Sequence, residues 1–253
     1  MTSSVTEQLK AMRLVGMLDA WMEQRNSPTY HDLSFEDRFT LLLEREQLHR
    51  SQMRLQRRLR QAQLSTTAHL SDIDFTVPRG LSKTKFLELA GGKWVQDHLN
   101  LIIVGATGVG KTFLSSVLAD QFCTLGHSVR YFKCADLLME LKFAKADGSF
   151  RRFQQQIAAF ELIILDDWLR DAVSSDQARD LLDLLDVRYR TASCLFATQL
   201  PVNQWHSQIQ DPTLADAMLD RIVHDSIRLV LKGESMRKLT SKVNVNSDSI
   251  DAE

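Results

Sequence analysis

Residues 101–118 read LIIVGATGVGKTFLSSVL, and residues 105–112 within them have the spacing G-x-x-x-x-G-K-T. The chemistry that spacing serves is polyphosphate binding. Gly105 and Gly110 let the backbone curl so that successive amides turn inward on an anion, with Ala106, Thr107, Gly108 and Val109 supplying the N–H groups between them. Lys111 carries a positive charge to the β- and γ-phosphates, and Thr112 offers a hydroxyl to Mg²⁺. The helix that begins there, through Phe113, adds the positive end of its dipole. These features predict a nucleotide site.

Two later stretches could complete it. In ELIILDD, residues 161–167, four apolar residues run into Asp166 and Asp167. Alone, two acids after a strand read as a turn or a helix cap. Downstream of a phosphate loop, Asp166 can hold Mg²⁺ through its water shell opposite Thr112. Asp167 is then placed to orient or deprotonate an attacking water. In SCLFATQ, residues 193–199, the polar ending Thr198-Gln199 lies level with the acids if the strands are parallel. It serves there either as a γ-phosphate contact or as an ordinary turn.

Positioning these groups requires an alternation of strands and helices. Short β-branched runs at 101–104, 128–134, 161–165, 193–199 and 226–232 alternate with helical patterns at 111–118, 135–146, 151–159, 174–190 and 214–223. Such alternation predicts an α/β domain with a parallel sheet whose strand ends face the nucleotide. Trp94, with Val95 and Leu99, is read as packing under the first strand rather than stacking on a base.

Upstream the pattern is helical. One amphipathic helix is expected over 5–24, then a turn at Asn26-Ser27-Pro28. A long helix follows to about residue 63, opened by Ser34 with Asp37 three residues on. On it Arg50, Arg54, Arg57 and Arg58 share one stripe, and Leu41, Leu48, Leu55 and Leu59 share the opposite one. Arg45, His49 and Arg60 flank the basic side, and Glu46 is the one acid between 45 and 60. A polyanion suits this face, and the lack of aromatics on it favours duplex phosphates over stacked single-stranded bases. A solvated face, or one that meets an acidic partner protein, is the alternative. The expected division is a helical domain over 1–77, an ATPase domain over 78–240, and a polar disordered tail over 241–253.

With 253 residues and 44% hydrophobic content the chain can bury a substantial core. A net charge of -1 gives no whole-molecule attraction to nucleic acid, so any such affinity must be local. Cys123, Cys134 and Cys194 have neither paired nor metal-ligand spacing, which reads as buried thiols of a reduced protein. With no leader pattern and no apolar run of membrane-spanning length, the expected location is the cytoplasm, with no membrane partner.

Taken together, GATGVGKT, LIILDD, the ATQLP strand ending, LADAMLDRIVHD and LKGESMRK resemble the IstB family, ATPase helpers of certain insertion-sequence transposases. The chain is similar, more distantly, to the DnaC helicase loader and the DnaA initiator within the AAA+ class of P-loop NTPases. The resemblance implies an ATPase using ATP and Mg²⁺, which forms a homo-oligomer on duplex DNA and recruits or stimulates a transposase. By position it makes 105–112 the Walker A loop and Asp166 the Walker B acid, with Asp167 where many members carry Glu. It puts Gln199 at the sensor-1 position and Arg221 where such proteins carry an arginine finger, supplied to a neighbouring subunit. Arg237 becomes a second nucleotide-sensing arginine, with the chain ending too soon after it for a helical lid. Without the resemblance Arg221 reads as a surface ion pair. Two rival functions are a helicase loader and a small-molecule kinase, the latter without a recognisable acceptor pocket in the sequence.

Overall fold

The computed structural model describes residues 4–236, so Arg237 and the tail at 241–253 lie outside the described residues. The chain forms two compact units, residues 1–60 and 61–253.

In the first unit Ser4 and Glu7 form a reciprocal capping box that opens α1 (Val5–Ala11). The single helix expected over 5–24 is two helices. Arg13 adopts a left-handed φ of 57° and Leu14 N donates to Leu9 O, which closes α1 before α2 (Val15–Asn26) begins. Ser34 caps α3 (Phe35–Ala62), accepting from Asp37 N and donating to the Asp37 carboxylate. Leu9, Met17, Leu18, Ala20 and Leu42 form the small core.

Of the leucine stripe expected to pack on α3, Leu41 and Leu48 are exposed and Leu55 and Leu59 half-buried, and Leu42 and Glu46 are the residues α3 buries in this unit. The reason is a polar requirement. Helix α2 has no side-chain cap of its own, and Glu46 supplies one by accepting from Met17 N (3.1 Å) and from Arg50 Nε (2.7 Å). Burial pushes the Glu46 carboxyl up, but these donors outweigh it and hold the group below its ordinary value. The approach depends on Gly16, where a Cβ would lie 2.6 Å from Arg45 O.

The second unit begins earlier than the turn at Pro78. Ala62, Ala68 and Ile73 are buried, and Phe75 packs edge-on against Phe86, so 61–77 belongs with the second unit rather than with the N-terminal helices. The expected boundary falls at 78 because that stretch is polar up to the turn at Pro78 and its few apolar side chains follow no period. Two short helices follow, α4 (Lys83–Ala90) and α5 (Lys93–Gln96). Trp94 is buried, donates from Nε1 to Leu89 O and lies edge-on to Phe122.

The alternating region then runs β1 (Asn100–Val104), α6 (Lys111–Leu125), β2 (Val129–Lys133), α7 (Cys134–Ala146), α8 (Phe150–Ala158), β3 (Leu162–Asp166), α9 (Ser175–Arg188), β4 (Ser193–Thr198), α10 (Pro212–Val223) and β5 (Ser226–Val230). All strand pairs are parallel, in the order β2-β3-β4-β1-β5. Strands β3 and β4 are buried throughout, as crossover helices on both faces require. Ile102, Ile163, Leu165 and Phe196 join a core made with α7, α9 and α10. Period-two alternation turns Leu101, Ile103 and Leu195 to the face where α6 lies. Cys123, Cys134 and Cys194 are buried. Among the described residues no helix is long and apolar enough to cross a membrane.

Candidate functional site

The loop 105–110 leaves β1 between two neighbours that hold its shape: Gly105 N donates to Thr198 O, and Met236 N donates to Gly108 O. Gly110 sits at φ 100° as the residue before α6, a conformation that turns the loop's amides inward and that a side chain would resist. Val109 is buried and contributes only its backbone, while Ala106 and Thr107 stay exposed. Lys111 is 8% exposed and donates from Nζ to Gly105 O (2.8 Å) and Ala106 O (2.9 Å), so its ammonium lies inside the curl. Burial lowers its pKa, opposed by Asp166 and Asp167. Beside the loop is a cleft of about 730 Å³ lined by Gly108, Gly110, Lys111, Thr112, Phe113 and Asp166 among others.

On the far side of the cleft β3 delivers its acids. Thr112 Oγ1 donates to Asp166 Oδ2 (2.6 Å), so the two oxygens meant for one metal ion converge. Tyr131 on β2 donates to the same oxygen (2.8 Å), and Asp167 N donates to Asp166 Oδ1 (3.0 Å). Burial raises the Tyr131 pKa, keeping the phenol a donor. Asp167 has a left-handed φ of 54° and pairs with Arg170 at 3.3 Å. Its turn is pinned by Trp168, which is buried, donates from its amide to Ala197 O and accepts from Thr198 Oγ1 at its carbonyl. That resolves the polar end of β4: Thr198 is structural, and Gln199 is exposed with Oε1 accepting from Thr107 Oγ1 (2.8 Å). Gln199 therefore reaches the phosphate loop itself.

The donor set fits a nucleoside polyphosphate and its Mg²⁺. Lys111 and the loop amides would hold the phosphates, and Thr112 with Asp166 would hold the metal. Sequence reasoning missed three contributors: Tyr131, Ser65-Thr66 from the stretch assigned to the helical domain, and Arg79. Tyr131 had a signal, because a tyrosine two residues before the end of a strand beside the acid-bearing one can reach across. The other two had none.

Arg221 is not brought to this cleft. It pairs with Asp186 on α9, and its carbonyl accepts from Asn100 Nδ2 (3.4 Å) at the start of β1. The phosphate loop leaves the other end of that strand, about 13 Å away along it. On α3 the four arginines also divide. Arg50 is tied to Glu46, so the one acid between 45 and 60 does consume one charge, whereas Arg54, Arg57 and Arg58 make no ion pair among the described residues.

Comparison with known proteins agrees with this geometry. Residues 7–244 match the family model described as IstB-like ATP binding protein. The chain belongs to that family. Relatives in the IstB-like family include y4pL of Sinorhizobium fredii, whose name describes an insertion sequence ATP-binding protein. The two are 39% identical over 92% of this chain and 95% of the relative. An ATP-binding protein of insertion sequence IS1162 from Pseudomonas fluorescens is 40% identical, over 79% and 87%. Among solved structures, DnaI aligns with TM-score 0.57 and 20% identity over 65% of this chain and 91% of that one. AMPPCP-bound DnaA from Aquifex aeolicus gives 0.57 and 15% over 73% and 58%. These likenesses fix the fold as the P-loop AAA+ type. This IstB-like chain is thus an ATP-binding protein of the insertion-sequence kind.

Proposed function

We propose that the protein hydrolyses ATP with Mg²⁺, assembles with copies of itself on duplex DNA when ATP is bound, and recruits or stimulates a transposase. The observation that carries the hydrolysis reading is the convergence of Thr112 and Asp166 within 2.6 Å beside a buried Lys111. Bound Mg²⁺, held by Thr112 and Asp166, would supply neutralisation of the phosphate charge.

The chain's own groups then divide the work. Lys111 binds the phosphates, Asp166 is held for the metal by Tyr131, and Asp167 orients the attacking water and accepts its proton. Asp167 is shorter by one methylene than a glutamate, and it lines the cleft from a left-handed turn with its carboxylate paired to Arg170. Gln199 holds Thr107 at the γ-phosphate side of the loop. Arg221, remote from its own cleft, serves the cleft of a neighbouring copy, which makes turnover depend on assembly. Arg54, Arg57 and Arg58 bind duplex phosphates, and Arg50, bound to Glu46, contributes less. The N-terminal helical unit is the DNA- and partner-binding part, and the site of action is the cytoplasm. Arg237 is assigned to nucleotide sensing on the family resemblance alone.

Electron microscopy with duplex DNA tests this reading directly. With a non-hydrolysable ATP analogue the expected result is an ordered assembly on the DNA, absent without nucleotide. Monomers in both conditions, together with tight binding to a replicative helicase, would establish the loader function instead.

A further inference from the structure

Arg79 is 3% exposed, yet its guanidinium has one hydrogen bond among the described residues, from Nη2 to Asp74 O (3.2 Å), and its Nε is buried with no acceptor. The other deeply buried arginine, Arg188, also leaves Nε without a partner, but it donates three bonds to the carbonyls of Ile157, Phe160 and Ser193. A buried cation so thinly supported is costly unless something anionic completes it.

Its position says what that is. Arg79 lines the nucleotide cleft, and its Nη1 lies 3.0 Å from where a Cβ on Gly110 would stand, against the residue that opens α6. There the guanidinium stands beside the positive end of the α6 dipole, in the cleft that Lys111 also lines, so the cleft collects positive charge from three sources. The nearest carboxylate, Asp74, is turned to Thr76, accepting from its amide (2.8 Å) and hydroxyl (2.6 Å). The placement is rigid: Arg79 N donates to Val77 O, and Arg79 O accepts from Lys232 N beyond β5. That is the β5 flank of the loop, opposite the β3 flank where Asp166 and Asp167 address the γ-phosphate and the water.

We infer that Arg79 is a nucleotide-binding residue that neutralises the α- and β-phosphates, the part common to ATP and ADP, and so holds either nucleotide in the cleft. The inference rests on the nucleotide-site reading given above. Burial lowers the Arg79 pKa although the Asp74 charge opposes it, so the cation is compensated only in part.

The test is calorimetric binding of ADP and of a non-hydrolysable ATP analogue, both with Mg²⁺, to wild type, Arg79→Met and Arg79→Lys, with melting temperatures recorded with and without ADP. The expected result for Arg79→Met is weaker binding of both nucleotides by the same factor, on the order of 10- to 100-fold. Arg79→Lys should lose less. The nucleotide-free melting temperature of Arg79→Met should stay at or above the wild type's, because an uncompensated buried charge is gone, while the rise on adding ADP shrinks. ADP affinity within twofold of wild type in both variants overturns the inference. So does a loss confined to the triphosphate analogue. A nucleotide-free melting temperature well below wild type with the ADP-induced rise intact would make Arg79 a structural tie for Asp74. Wild type that fails to bind ADP removes the nucleotide site itself, and Arg79's role with it.

Discussion

The phosphate loop and the arginine stripe of α3 are both cationic, but they are built on opposite principles. Lys111 is buried, fixed by two loop carbonyls, and shares its cleft with Tyr131, Asp166 and Gln199. Arg54 and Arg57 stand exposed on one helix with no ion pair among the described residues. The first arrangement selects a ligand of one shape, because its donors are paid for in advance by the fold. The second suits a ligand that repeats the same charge along its length, where position matters little and salt matters a great deal.

That contrast can be broken experimentally. The largest effect is expected for Arg221→Ala, which should lose about 1,000-fold of DNA-stimulated ATP hydrolysis while nucleotide affinity stays within about twofold. Full stimulation, read by phosphate release with and without duplex, would remove Arg221 from any active site. Lys111→Ala should weaken ATP binding by about 100-fold yet leave nucleotide-free DNA binding where it was, since the two surfaces are built separately. Loss of both in titration calorimetry would show that the loop and the stripe are one site.

On the stripe, changing Arg54, Arg57 and Arg58 together to Ala should lower duplex affinity by roughly 10- to 100-fold and flatten the slope of log affinity against log salt by about 3. Arg50→Ala should change that slope by less than about 1, because its charge is already spent on Glu46. An equal effect at Arg50 would mean the ion pair opens when DNA binds. The smallest expected change is structural: Gly16→Ala should cost the N-terminal unit about 1–3 kcal/mol by forcing α2 from α3. Chemical denaturation should show it as an earlier transition of that unit, with the nucleotide-binding unit unmoved.

Much of the site could be read along the chain because its parts are local. The cradle, Lys111 and Thr112 are consecutive, and Asp166 follows directly from a strand whose apolar run announces it. For Gln199 the sequence offers a γ-phosphate contact or a turn, and it gives no sign of the bond from Thr107, 92 residues away, that joins Gln199 to the loop. The packing of α3 was misjudged because period counts leucines, whereas the N-terminus of α2 demanded a carboxylate, and Glu46 took the buried place. The single helix expected over 5–24 failed at Arg13, where Leu14 bonding back to Leu9 closes a turn that no glycine or proline marks.

What the sequence determined by itself was the chemistry available: a polyphosphate cradle, a metal-holding pair and a run of arginines. Each depends on residues close together in the chain, where backbone geometry alone sets their spacing. Only the tertiary structure decided which groups share a cleft. Tyr131 reaches Asp166, residues 65–66 line the nucleotide cleft, Arg79 lies against Gly110, and Arg221 is held at the far end of the sheet. Those placements come from parallel strand order and from where buried polar groups find partners, and neither is encoded in any short stretch of residues.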